Sequence, residues 1–247
     1  MIEFKNLIKS FGDKRVLDDV SFDVNRGEVL FIIGASGVGK SVLIKHLIGL
    51  LAPDAGEIWL DGAEVSRLTE HQMFDVRKKC AMVFQHSTLF DSMTCAENVA
   101  LPLRKHKGMS MKEALAEAGQ RLTQVHMHDF ADRYPSELGD GMRKRVAIAR
   151  ALTLDPAYVL FDEPTTSLDP VSARRVDRLI RELSDTVGVT SVVVSHDLAS
   201  IFTIADRIVM LYKGKVRMIG TREDFKRTPD GIVEQFINGR ATGPMDL

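Results

Sequence analysis

The sequence is poor in residues that staple or anchor a protein. Of its 247 residues only Cys80 and Cys95 are cysteines. Two thiols without paired metal-ligand spacing make neither a disulfide framework nor a zinc site, so both read as reduced and the fold must stand on its core. Excess charge is lacking too: Lys plus Arg total 33 against 34 Asp plus Glu, a net charge of −1. Such a balance supplies no field to gather nucleic acid, and no nucleic-acid partner is expected. No uninterrupted apolar stretch of roughly 18 residues occurs. The start, Met1-Ile2-Glu3-Phe4-Lys5, has neither a basic nor an apolar leader region, so the chain is expected neither to span nor to cross a membrane by itself.

What is present is an ordinary globular balance, 45% hydrophobic and 27% charged, in a length that suits one large core with a subdomain. Gly34-Ala35-Ser36-Gly37-Val38-Gly39-Lys40-Ser41 has the spacing GxxxxGKS. It follows the apolar run Glu28–Ile33, suited to a buried strand, and precedes Val42 to Leu50, apolar at helical spacing. Glycines at 34, 37 and 39 permit backbone angles that turn successive N–H groups into a phosphate-sized hollow, and the following helix adds its positive dipole end. Lys40 is expected to reach the β- and γ-phosphates of a nucleoside triphosphate, and the Ser41 hydroxyl to ligate Mg²⁺.

Upstream of this loop, alternation from Ile2 through Val24 around Gly12-Asp13 predicts an antiparallel sheet leading into the central strand. Phe11 sits at that turn, either as an exposed aromatic that could stack on a purine or as a plug beneath the turn. Downstream, a turn at Pro53 to Gly56, a strand Glu57 to Leu60 and a turn at Asp61-Gly62 predict a hairpin with Trp59 in the core, and Leu68 to Lys79 a charged helix. Cys80 to Phe84 predicts a buried strand delivering Gln85 to a sheet edge. Thr94 to Leu103 predicts a helix broken by Pro102, and Ser110 to Val125 an amphipathic helix with Ser110 and Glu113 at capping-box spacing. The basic run Arg104-Lys105-His106-Lys107 reads as a solvated face. A helix opens at Gly139-Asp140-Gly141, where its N-terminus offers a second anion site.

Tyr158-Val159-Leu160-Phe161-Asp162-Glu163 is an apolar strand ending in two carboxylates. Asp162 is expected to hold Mg²⁺ and Glu163 to polarise the attacking water. Val171 to Val187 has surface-helix periodicity, and the strand Val189 to Ser195 ends at His196. Because His196 follows a strand as Gln85 and Glu163 do, a γ-phosphate contact is favoured over a lone surface histidine. A hairpin turning at Lys213-Gly214 and a polar helical tail close the chain.

With these pieces in order, the sequence resembles the ATP-binding cassette (ABC) ATPases over nearly its whole length. Phe11 matches the adenine-stacking position, Gly34 to Ser41 with Val42 the phosphate loop, and Gln85 the glutamine loop. Leu138 to Met142, with Gly141, matches the signature, Ser167-Leu168-Asp169 the D-loop and His196 the switch histidine. The resemblance implies an α/β P-loop NTPase core of the RecA-like kind with an N-terminal antiparallel β-subdomain and an inserted α-helical subdomain. On this chain the core falls at 1–85 and 156–220, the insert at 86–155 and the tail at 221–247. It also implies ATP and Mg²⁺ as cofactors, the ion at Ser41, Gln85 and Asp162, and two copies that trap ATP head to tail, Gly141 and Asp169 of one facing the nucleotide of the other.

The segments Leu89-Phe90-Asp91-Ser92-Met93-Thr94 and Glu97 to Leu103, Met142, and the tail Gln235-Phe236-Ile237-Asn238-Gly239 are similar to those of the Mla-type lipid-transport ATPases. That subgroup implies an integral membrane permease, an MCE-domain protein in the same complex, and a peripheral place on the cytoplasmic face of the inner membrane. Another importer ATPase, for amino acids or other small solutes, and a non-transport ABC ATPase remain alternatives. The tail residues Phe236 and Pro244 are expected to dock on the partner copy.

One departure stands out. The signature usually runs Leu-Ser-Gly-Gly, whereas this chain has Leu138-Gly139-Asp140-Gly141. A carboxylate about 5 Å from a γ-phosphate at a dielectric near 20 is worth on the order of 3 kcal/mol per unit charge, about a hundredfold, before any offset by Arg143 or Lys144. Slow or weakly ATP-coupled turnover is the expectation, with a heterodimer whose other member brings a full signature as the second possibility.

Overall fold

In this computed structural model, which describes residues 1–245, the alternating start folds into two antiparallel strands, β1 (Ile2–Phe11) and β2 (Lys14–Val24). Phe4 pairs with Phe22, their rings 4.7 Å apart, on the buried face with Ile2, Leu7 and Val20. Next comes β3 (Val29–Ile33), buried on both faces as its unbroken apolar run requires, and then α1 (Lys40–Leu47). The strands β4 (Ala55–Leu60) and β5 (Ala63–Glu64) return to the other edge of β1, giving the order β2-β1-β4-β5. Trp59 is not in the core. Ile58 and Leu60 take the inner face, so the period of two turns Trp59 outward, half-buried, with the Lys5 ammonium 4.9 Å from its ring and its indole N–H on Glu57.

After α2 (Glu70–Lys79) and β6 (Cys80–Val83) comes the helical insert of α3 (Cys95–Lys107), α4 (Met111–Gln124) and α5 (Asp140–Leu152), packed on one another. The capping box at Ser110 and Glu113 forms as expected. Pro102, however, does not break α3, which continues through it to Lys107. Val99, Ala100 and Leu103 are buried around the proline, and this packing outweighs the lost backbone bond.

The core sheet is completed by β7 (Tyr158–Asp162), β8 (Thr190–Val194), β9 (Arg207–Tyr212) and β10 (Lys215–Thr221), in the order β10-β9-β3-β8-β7-β6. All neighbours are parallel except the hairpin β9-β10. The helices α6 (Pro170–Val187) and α7 (Leu198–Ile204) flank β8 in sequence. The described part of the tail contains α8 (Arg222–Lys226) and α9 (Gly231–Ile237), and residues 246 and 247 lie outside the described residues. Parallel strands bring the C-terminal ends of β3, β8, β7 and β6 to one edge of the sheet, where ligands of such folds bind.

Candidate nucleotide-binding and hydrolysis site

Gly34 leaves β3 at φ 142°, and a Cβ there would lie 2.3 Å from the carbonyl oxygen of Leu211 on β9. Only glycine fits, and the chain turns straight into the phosphate loop. Lys40 opens α1 almost fully buried, its Nζ donating to the carbonyls of Gly34 at 2.8 Å and Ala35 at 3.0 Å. Burial pulls its pKa down, against the opposing pull of Glu163 and Asp162. The ammonium therefore rests on weak neutral acceptors that a phosphate would outcompete.

Ser41 Oγ donates to Asp162 Oδ1 at 2.5 Å. A hydroxyl and a buried carboxylate at that separation, with Gln85 in the wall of the same cavity, are the hard oxygen donors that Mg²⁺ takes. Among the described residues no group of three His, Cys, Asp or Glu is placed to hold a metal ion.

Glu163, just beyond β7, adopts φ 50°, a left-handed backbone that non-glycine residues seldom take outside functional sites. Its Oε2 lies 2.9 Å from His196 Nδ1 and accepts the Thr166 hydroxyl at 3.0 Å. Gln85, Glu163 and His196, each beyond the end of a neighbouring strand, thus face the phosphate loop across one cavity of about 720 Å³.

That cavity gathers most of the residues singled out in the sequence: Phe11, the loop residues 34–37 and 39–42, Gln85, Glu163 and His196. Phe11 is 47% exposed, so it is not a plug beneath its turn and its ring is available for stacking. Val38 is not in the wall; half-buried, it packs against the core cluster that includes Leu17, Leu30 and Leu43. Gly141 and Asp169 line a separate cavity of about 430 Å³ along α5 and α6. A Cβ on Gly141 would come within 2.8 Å of Ser172, so that glycine also lets the two helices close up.

Three further residues complete the wall, Val16, Thr166 and Phe236. Val16 and Thr166 carry no motif signal of their own. Phe236, expected to dock on a partner copy, lines this chain's own cavity. The tail folds back to hold it there: the Gln235 side chain accepts the Met245 N–H at 2.7 Å and donates to the Arg240 carbonyl at 3.3 Å.

The signature also looks different in three dimensions. Asp140 is paired with Arg143, and its side chain is 61% exposed. Lys144 offers it no direct partner. It is buried, donating to the backbone carbonyls of Phe84 at 2.9 Å and Gln85 at 2.7 Å, and burial lowers its pKa to about 8. Lys144, expected to offset the Asp140 charge, is instead a strut beneath the loop that carries Gln85. At water-like dielectric the Asp140 charge is worth about 0.8 kcal/mol at 5 Å, roughly fourfold, and the Arg143 charge reduces it further. The hundredfold figure is thus the upper bound, for a carboxylate held dry against the γ-phosphate in a closed pair.

A phosphate loop on the central strand, faced by a carboxylate pair two strands away, defines a P-loop nucleoside triphosphatase. A family model described as ABC transporter matches residues 17–166. The chain belongs to the ATP-binding cassette transporter family, as its ATP-hydrolysing subunit. It is 38% identical to the intermembrane phospholipid transport system ATP-binding protein MlaF of Haemophilus influenzae, covering 99% of this chain and 93% of that one. A probable ribonucleotide transport ATP-binding protein, mkl, of Mycobacterium leprae is 37% identical over all of this chain and 71% of its own length. Among solved structures, the dimeric cassette MJ0796 bound to ADP and Pi matches with a TM-score of 0.81 at 33% identity, over 90% of this chain and 99% of that one. Among the described residues no helix is long and apolar enough to cross a membrane.

Proposed function

We propose that this chain powers the movement of phospholipid, or a similarly hydrophobic substrate, through an integral membrane permease, bound peripherally at the cytoplasmic face of the inner membrane. The match to MlaF along 99% of this chain and 93% of that protein carries this reading. Two copies work head to tail, each presenting Gly141 and Asp169 to the nucleotide of the other. The separate cavity along α5 and α6 supports this arrangement, since within one copy those residues stand apart from the phosphate loop. An MCE-domain protein belongs to the same complex in this reading.

In each site the backbone N–H groups of residues 34–41 and the Lys40 ammonium bind the phosphates, while Phe11 stacks on the adenine. Ser41, Asp162 and Gln85 would hold Mg²⁺, which when bound neutralises charge developing on the β- and γ-phosphate oxygens. Glu163 accepts the proton of the attacking water, and His196, 2.9 Å from the same carboxylate, contacts the γ-phosphate. Phe84 and Phe90, 36% and 49% exposed on either side of the loop 85–89, suit the cytosolic loops of a permease. Asn98, fully buried, pins that region through bonds to the Phe90, Met93 and Thr94 carbonyls.

A second reading, transport of a ribonucleotide or another small solute, rests on the 37% identity to mkl. Purifying the native complex from detergent-solubilised membranes and identifying its subunits and lipids separates the two. Recovery of a permease with phospholipid supports lipid transport; a permease with no lipid, or with a soluble-ligand receptor, favours the second reading. Loss of ATP hydrolysis on Lys40→Ala is expected in either case, and a fully active Lys40→Ala complex would contradict both.

A further inference from the structure

The helix α6 starts at the D-loop, with Asp169 as its cap: the Asp169 carboxylate accepts the N–H groups of Val171 and Ser172 at 3.0 Å. One face of the helix is apolar and buried, at Ala173, Val176, Leu179, Ile180 and Leu183, yet a carboxylate, Asp177, is buried among them with its side chain 3% exposed. Burial pushes Asp177 up to about 6, and its Oδ1 has no hydrogen-bond partner. An apolar side chain of similar volume would stabilise such a position better, so packing does not explain the acid.

Its neighbours do. One Arg174 nitrogen lies 2.8 Å from Asp177, and the other reaches across to α7, where it donates to the Asp197 carboxylate and to Ser200 Oγ at 3.1 Å. The Ser200 hydroxyl lies 2.9 Å from Asp177 and 2.8 Å from Asp197, so it closes the ring. Asp197 is the residue after His196. Its free oxygen caps α7 through the Ala199 and Ser200 N–H groups, and its own N–H donates to Ser195 Oγ at 3.0 Å. The His196 side chain, by contrast, is 62% exposed, with Glu163 as its charged contact. Its placement therefore depends on how firmly the backbone is held at Asp197.

We propose that Arg174 is a positioning residue for His196: by gripping Asp197 from α6 it fixes the switch histidine relative to the helix that begins at the D-loop. The proposal rests on reading His196 as a γ-phosphate contact. A guanidinium suits this place because its rigid plane keeps one nitrogen 2.8 Å from Asp177 while the other donates to Asp197 and Ser200, an orientation that an ammonium point charge does not fix. In a head-to-tail pair, a shift of Asp169 against the partner would then be felt at His196 through one rigid link.

The test is a double-mutant cycle on ATP hydrolysis by the full chain, with Arg174→Met, Arg174→Lys, His196→Ala and the Arg174→Met/His196→Ala pair. Arg174→Met is expected to lower kcat about tenfold with KM for ATP changed less than about twofold, Arg174→Lys to recover only part of the loss, and the pair to match His196→Ala alone. If Arg174→Met unfolds the chain, Asp197→Asn, which keeps the cap oxygen and removes the gripped charge, replaces it in the same cycle. An unchanged kcat, or equal losses with and without His196, would overturn the proposal. Wild-type activity in His196→Ala would instead overturn the reading of His196.

Discussion

Asp177 turns the buried network into a measurement of pH-dependent stability. Desolvation raises its pKa from 3.8 to about 6, with Asp197 pushing the same way and Ser200 and Arg174 opposing. A raised carboxyl pKa means the folded chain holds the proton more tightly than the unfolded one. The associated stability is fully present below 3.8 and is lost as pH rises through about 6. Between pH 8 and pH 5 the wild type should gain about 1.4 kcal/mol from this group, a tenfold change in the folding equilibrium. Asp177→Asn keeps the shape and cannot titrate. Urea unfolding of both proteins at pH 5, 6, 7 and 8 should therefore show the stability of Asp177→Asn, relative to wild type, falling by that amount as the pH drops. A difference that stays flat across the series, or runs the other way, would refute the argument that this carboxylate is buried with incomplete compensation.

Three further outcomes are expected. Glu163→Gln should keep ATP binding and lose hydrolysis by about a hundredfold or more, as measured by phosphate release, because the base is removed and the phosphate loop is untouched. The double variant Gly139→Ser with Asp140→Gly should raise turnover by no more than about fivefold, since Asp140 is exposed and already paired with Arg143; a hundredfold gain would mean the carboxylate meets phosphate in a dry interface. Ending the chain after Gly239 removes the Met245 contact that fastens Gln235, and should weaken binding of a fluorescent ATP analogue by about fivefold, the worth of roughly 1 kcal/mol of aromatic contact at Phe236.

Much of this protein was settled by local chemistry. The phosphate loop needs glycine at fixed places and a lysine and serine after them, and any chain with that spacing between an apolar strand and a helix is committed to the same turn. The capping box at Ser110, the carboxylates ending Tyr158 to Glu163 and the alternation of the first strands follow from periods of 3.6 and 2 that the order of residues displays. Composition excluded disulfides and a global charge field for the same reason: these are sums over residues, and no folding is needed to take them.

Only the tertiary structure decided what happens when distant segments meet. The outward turn of Trp59 depends on which face of its sheet finds a core, and the survival of α3 through Pro102 on neighbours that bury the helix around it. Lys144 reads as one more exposed cation until α5 is laid under the glutamine loop, and Asp140 as a free charge until Arg143 folds onto it. Phe236 and the link from Arg174 to Asp197 join positions far apart in the chain. No local pattern marks such pairs, because the energy that selects them, burial of a specific side chain against a specific partner, exists only once the chain has closed on itself.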